Sequence, residues 1–207
     1  MEENRPTQLR ERIAREAAIL LYTSQEKEYK QAKKRAAETL GVRVLPSNLE
    51  VAGELDKIAD ETEGSSRQER LLQMRKEALQ IMDILEEFSP KLIGSVWRGT
   101  AHRNSDIDIE TFSSHPETVL AWLKKNDFKV ERTERQSVTK AGKAESSLHI
   151  YLTFPLGNRA EIVVREPEKR DILRRCEIYG DHITGLSYPQ LRKVLEENPL
   201  RRFVPEG

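Results

Sequence analysis

A single cysteine, Cys176, stands in the 207 residues. That excludes an intrachain disulfide and points to a reducing compartment. Long apolar runs are missing as well. No window approaches the ~20 uncharged residues that a bilayer crossing needs. The opening residues Met1-Glu2-Glu3-Asn4-Arg5 are acidic and polar, not an apolar signal segment. A soluble, cytoplasmic protein with no membrane partner is therefore expected. An excess of one charge is also lacking: 35 basic residues meet 35 acidic ones, so the whole-chain charge does not point to a nucleic-acid partner. Hydrophobic residues make up 37% and charged residues 34%, which allows a core but implies long solvated helical faces. There is no internal repeat and no low-complexity linker.

What is present divides at about residue 64. Before it the apolar spacing is helical throughout. Leu9, Ile13, Ala17 and Leu20/Leu21 form one stripe, and Tyr29, Ala32, Ala36 and Leu40 form a second that Gly41 ends. The polar side of the second helix carries Lys30, Lys33, Lys34 and Arg35, either a solvated face or a contact for RNA or phosphate. Ser47-Asn48-Leu49-Glu50 has the capping-box pattern and opens a third helix with Val51, Leu55 and Ile58 inward. Ser66-Arg67-Gln68-Glu69 repeats that pattern. It predicts a long helix to about Phe88, with Leu71, Met74, Ala78, Ile81/Met82 and Leu85 as its stripe and the methionines as core filler.

After Pro90 the period changes to two. Strands are predicted at 91–94, 106–112, 128–135, 148–154 and 159–165, the last two as a hairpin across Pro155–Asn158. Ser114-His115-Pro116-Glu117 caps a helix to about Asn126. Residues 139–146 read as a flexible basic loop, and helices are expected at about 168–179 and 188–197. The fold class that follows is α+β: a mixed sheet flanked by helices, behind an all-helical N-terminal arm. The corresponding division is an extension at 1–64 and a catalytic unit at 65–207.

The chemistry is concentrated in Leu92–Phe112. Asp106 and Asp108 are one residue apart on a strand and so project from one face. Two like charges held that close repel, and a divalent cation removes the repulsion. Gly94-Ser95 offers backbone N–H groups and a hydroxyl to a phosphate, and glycine lets a backbone approach closely. Arg98 and Arg103 are candidates to neutralise a triphosphate. Two divalent ions sharing carboxylates stabilise in-line phosphoryl displacement, and a hard cation needs several oxygen ligands. Glu161, at the head of the apolar strand Glu161–Val164, is the candidate third carboxylate if that strand lies beside 106–112. Glu110 is on the same face but further along. His102 reads as a base, a phosphate donor or a surface histidine, and Trp97 as a stacking or a packing residue. Thr100, Asn104 and Ser105 read as turn residues.

Gly94-Ser95, Arg98-Gly99-Thr100 and, five residues on, Asp106-Ile107-Asp108-Ile109 together resemble the signature of the DNA polymerase β-like nucleotidyltransferases. Within that superfamily they look most like the archaeal class of CCA-adding tRNA nucleotidyltransferases and the minimal nucleotidyltransferases. The resemblance implies a mixed sheet preceded by a helix, a phosphate-binding turn at Gly94 and Ser95, and metal ligands at Asp106 and Asp108. Glu161 matches the third carboxylate by order and strand context, a position more often Asp in the family. The implied activity is Mg²⁺-dependent transfer (Mn²⁺ as a substitute) of a nucleoside monophosphate from an NTP, ATP or CTP foremost, to an acceptor hydroxyl. RNA such as tRNA, a protein, or a small molecule could be the acceptor. The rival is a non-catalytic nucleotide- or RNA-binding adaptor on the same fold. The signature covers roughly a tenth of the chain, and the fold-level match about 66–165. The helices of 1–63 match nothing in the family, and they are the expected surface for a partner or a second copy.

Overall fold

A computed structural model describes residues 4–140 and 143–205. Four helices come first: α1 (Asn4–Tyr22), α2 (Tyr29–Thr39), α3 (Asn48–Glu63) and α4 (Ser65–Ile84). A short 3₁₀ turn, Glu86–Phe88, leads into strand β1 (Lys91–Ile93), and helix α5 (Gly94–Arg98) follows it directly. Then come β2 (Ile107–Phe112), α6 (Pro116–Lys125), β3 (Val130–Lys140), β4 (Lys143–Thr153), β5 (Arg159–Arg165), β6 (Leu186–Ser187) and α7 (Tyr188–Glu197).

The first three helices form a small core of their own. Ile13, Ala14, Ala17 and Ala18 of α1, Ala32, Ala36 and Ala37 of α2, and Val51, Ile58 and Ala59 of α3 are buried together. Alanine at the contact positions lets the helix axes approach closely. Helix α3 starts where its sequence directs. Ser47 accepts from the Glu50 backbone N–H, and the Glu50 carboxylate accepts from the Ser47 N–H. The second capping pattern is not used. Helix α4 begins two residues early, with Gly64 rather than Ser66 at its N-cap and no side-chain cap bond, and the Ser66 hydroxyl donates instead to the Glu63 carbonyl. Helix α6 likewise starts behind His115 without a side-chain cap, and proline at its first position substitutes for one.

The six strands form one mixed sheet in the order β3-β4-β5-β2-β1-β6. Only β2 and β5 run parallel; the other neighbours are antiparallel. One sheet face carries Ile107, Ile109, Ile150, Leu152, Ala160, Ile162 and Val164, all buried in the main core with Met74, Ile81 and Met82 of α4, Leu123 of α6 and Leu191 of α7. The alternation that puts these residues inward turns Asp108, Glu161 and Tyr151 to the opposite face.

Two expectations fail for tertiary reasons. The basic loop expected at 139–146 is the distal part of a long hairpin: β3 and β4 pair as far as Lys140 and Lys143, and residues 141–142 lie outside the described residues. The helix expected at 168–179 is a 3₁₀ turn at Pro167–Lys169 followed by irregular chain. There Arg175 bridges to His182, the Cys176 N–H donates to the Asp181 carbonyl, and Ile172 and Leu173 are left exposed. Arg174 of this segment reaches Glu110, and its Ile172 and Leu173 do not meet the core.

Candidate active site

The β1–α5 junction places the first part of the site. Gly94 has φ 71°, and a Cβ built on it would overlap Oδ2 of Asp108 and lie 2.9 Å from its Cγ. Only glycine lets the backbone turn here against that carboxylate. The polar turn expected at 95–105 therefore begins as a helical turn, with Ser95 inside it. Gly99, at φ 74°, ends that turn, and its N–H donates to the Ser95 carbonyl.

Three buried arginines hold this segment from below. Arg75 is fully buried. Its guanidinium donates to the carbonyls of Val96 (3.1 Å), Trp97 (3.0 Å), Pro199 (2.6 Å) and Arg201 (2.8 Å). No carboxylate is among these partners, and burial pulls its pKa down to about 10. Arg67 donates to the carbonyls of Thr100 and Ala101 and pairs with Asp56 and Asp60 of α3. Arg98 is the third. It makes a two-pronged pair with Asp181 at 2.7 and 2.6 Å and donates to the Phe203 carbonyl. Its guanidinium lies 4.1 Å from the Trp97 ring centre and 4.7 Å from that of Tyr179. Burial alone would lower its pKa, but the Asp181 carboxylate outweighs that and raises it.

The two arginines expected at the phosphates already have protein partners. Arg98 is buried and paired with Asp181, and it lines the cleft. Arg103 lies over the Tyr22 ring at 4.5 Å, outside the lining of the cleft. Trp97 is a packing residue, buried in the main core. His102 is bent into the turn, where its ring accepts from the Asn104 N–H, and burial lowers its pKa. Ser105 and Asn104 are turn residues as expected: Ser105 accepts from the His102 N–H, and Asn104 donates to the Tyr22 carbonyl.

Asp106, Asp108 and Glu161 act on one another by charge. The parallel pairing of β2 and β5 puts Asp108 opposite Glu161. Asp108 is pushed up to about 7, first by burial and then by the charges of Glu161 and Asp106. Asp106 is also raised by burial, against the pull of Arg159, whose Nε donates to it at 2.8 Å. Glu110 drops out of the set, because it is buried between Arg165 and Arg174 and neutralised there. Three residues that the sequence reading passed over complete the cluster. Nδ1 of His149 lies 2.6 Å from Oε1 of Glu161, and its Nε2 lies 3.0 Å from the Ser147 hydroxyl. Tyr151 faces Glu161 across the strands, and its pKa is raised by burial and then by that carboxylate. Arg159 is two residues before Glu161 on one strand. The period of two could have found all three.

Beside the cluster opens a cleft of about 860 Å³, whose lining includes Asp106 and Asp108 but not Glu161 or His149. Gly94, Ser95, Asp106, Asp108, Tyr151 and Arg159 line one side. The helical arm supplies much of the other through Ser24, Glu26, Lys27, Tyr29, Leu55 and Asp56, and Cys176–Ile183 contributes Cys176, Ile178, Tyr179 and Ile183. Among the described residues no three His, Cys, Asp or Glu side chains close into a metal cage; Asp106 is engaged by Arg159, and Glu161 by His149. The donor set is nonetheless all-oxygen and mutually repelling, which fits a hard divalent cation.

A mixed α+β sheet with an acidic cluster on its open face is the class that fold and site define. No family model matches the chain, and no curated protein matches it. Among solved structures, the Cid1 poly(U) polymerase matches at 20% identity over 45% of this chain and 30% of its own, with a TM-score of 0.31. Cid1 bound to the UTP analogue UMPNPP matches at 18% identity over 56% and 37%, with a TM-score of 0.32. The GLD-2/RNP-8 complex matches at 15% over 47% and 38%, with a TM-score of 0.31. The chain thus spans about a third of the length of these structures. A likeness this weak carries no argument about activity.

Proposed function

We propose that this chain is a nucleotidyltransferase that moves a nucleoside monophosphate from an NTP to an acceptor hydroxyl and releases pyrophosphate. The observation that carries the reading is the register of Asp108 against Glu161, beside a Gly94 that only glycine can occupy. Asp106, Asp108 and Glu161 would hold Mg²⁺. When bound, the cation supplies charge neutralisation at the phosphates and a lowered pKa at the attacking hydroxyl. The remaining work belongs to the chain. Gly94 and Ser95 offer backbone and hydroxyl to the phosphates at the mouth of the cleft. Glu161 is placed to take the proton from the acceptor oxygen, and His149 fixes which carboxylate oxygen remains free. Arg159 leaves Asp106 and turns to the nucleotide's negative charge, a switch its 60% side-chain exposure permits. An RNA, tRNA included, is the acceptor we favour, because Tyr151 with Arg132 stacked on it at 3.6 Å offers a base a flat platform beside Glu161.

A second reading has one observation in its favour. Two of the three carboxylates are already engaged by Arg159 and His149, as suits an adaptor that binds nucleotide or RNA without catalysis. Incubating the chain with α-labelled ATP or CTP, Mg²⁺ and total RNA or total protein separates the two. Label in RNA is expected, and its loss in Asp106→Asn and in Asp108→Asn. Label in neither polymer, with NTP still bound, favours the adaptor.

A further inference from the structure

The cleft needs a cation for a nucleotide's phosphate tail, and most of its basic residues are already committed. Arg98 is paired with Asp181, and Arg132 is stacked on Tyr151 and bonded to Glu134; Arg159 must first leave Asp106 before it can answer any of that charge. Lys27 is different. It lines the cleft together with Gly94, Ser95, Asp106 and Asp108, it is exposed, and it makes no ion pair or side-chain hydrogen bond among the described residues. Its reach into the site is electrostatic, for it acts on Asp106 by charge.

The backbone that carries it is anchored on both sides. The N–H groups of Gln25 and Glu26 donate to the Leu20 carbonyl, Glu26 pairs with Arg35 at 3.1 Å, and α2 begins at Tyr29. Its acidic neighbours in the lining are occupied as well: Glu26 by Arg35, and Asp56 by Arg67 and Arg202. An ammonium on a long flexible stem, with no partner and a row of carboxylates across the gap, is suited to a mobile polyanion.

We infer that Lys27, carried by the connector between α1 and α2, binds the β- and γ-phosphates of the NTP with a charge already free, where Arg98 is paired with Asp181 and Arg103 is stacked on Tyr22. This rests on the nucleotidyltransferase reading above. It gives the helical arm a part in substrate binding: the arm supplies a charge that the sheet does not.

The test is isothermal titration of the full chain in Mg²⁺ with ATP and CTP and with their monophosphates. Lys27→Ala is expected to bind the triphosphates about tenfold more weakly, the loss of one charge-assisted contact, and to bind the monophosphates as the unaltered chain does. Lys27→Arg is expected to stay within about threefold for both, since it keeps the charge. Thermal melts matching those of the unaltered chain check that the exposed substitution leaves the fold alone. Triphosphate affinity unchanged in Lys27→Ala, or triphosphate and monophosphate weakened equally, overturns the inference while the nucleotidyltransferase reading stands. An unaltered chain that binds no NTP in Mg²⁺ overturns both.

Discussion

The two halves of Leu92–Phe112 are held in opposite ways. In the first half, the arginines that hold it are buried and answered: Arg75 of α4 by four carbonyls, Arg67 of α4 by three carbonyls and two aspartates, and Arg98 by Asp181 and the Phe203 carbonyl. In the second half, Asp106, Asp108 and Glu161 crowd one face with more negative charge than their neighbours cancel, so that Asp108 is pushed up to about 7. Charges that are fully partnered build a rigid support. Charges left in conflict await something from outside. A motif read as a single phosphate and metal site is therefore a clamp joined to a reactive face, and only the second part is free to do chemistry.

The largest expected effect strikes the reactive face. Asp108→Asn or Asp106→Asn should lower nucleotide transfer by about 10³-fold, roughly 4 kcal/mol of barrier, with an unchanged circular dichroism spectrum. Turnover within tenfold of the unaltered chain would dissolve the contrast, because the carboxylates would then be no more reactive than the clamp.

The next strikes the clamp. Arg75→Met removes the donor that four buried carbonyls share, and should cost about 3 kcal/mol. Thermal unfolding should fall by about 8 °C. A variant that melts with the unaltered chain would mean that water satisfies those carbonyls and that the clamp is dispensable.

The third sharpens the comparison through pH. The folded pKa of Asp108 is raised above its unfolded value near 3.8. A raised pKa means that this group favours the folded state at low pH, and that the benefit is lost as pH rises through about 7. Asp108→Asn does not titrate. It should therefore melt about 10 °C above the unaltered chain at pH 8, roughly 4 kcal/mol, and nearly level with it at pH 4. A variant that is no more stable at pH 8 than at pH 4, relative to the unaltered chain, would show that the carboxylates are not in conflict.

The sequence made some of this legible, for local reasons. Ser47 and Glu50 cap α3 because the two residues of a capping box are three apart and need no distant help. Asp106 and Asp108 share a neighbourhood because a strand repeats every two residues, and the same repeat brought Glu161 to the right face of β5. His149, Tyr151 and Arg159 obey that repeat too, and were missed because a period of two names a face and not a contact. The partners of Arg98 and Arg103 were hidden for the opposite reason. An arginine beside a glycine-serine turn is ambiguous until its partner is known, and Asp181 is 83 residues away from Arg98. Lys27 carries no motif and sits in a connector, so nothing local marks it as facing the cleft.

What the sequence determined by itself was the alternation that points carboxylates to one face, the glycine at 94, and the helical arm followed by a mixed sheet. Each depends on neighbours within a few residues. What only the tertiary structure decided was which charges are spent and which are free. That depends on long side chains meeting partners tens of residues away, and burial then makes every such pairing obligatory. The clamp and the reactive face are written in the same residue types, and packing alone tells them apart.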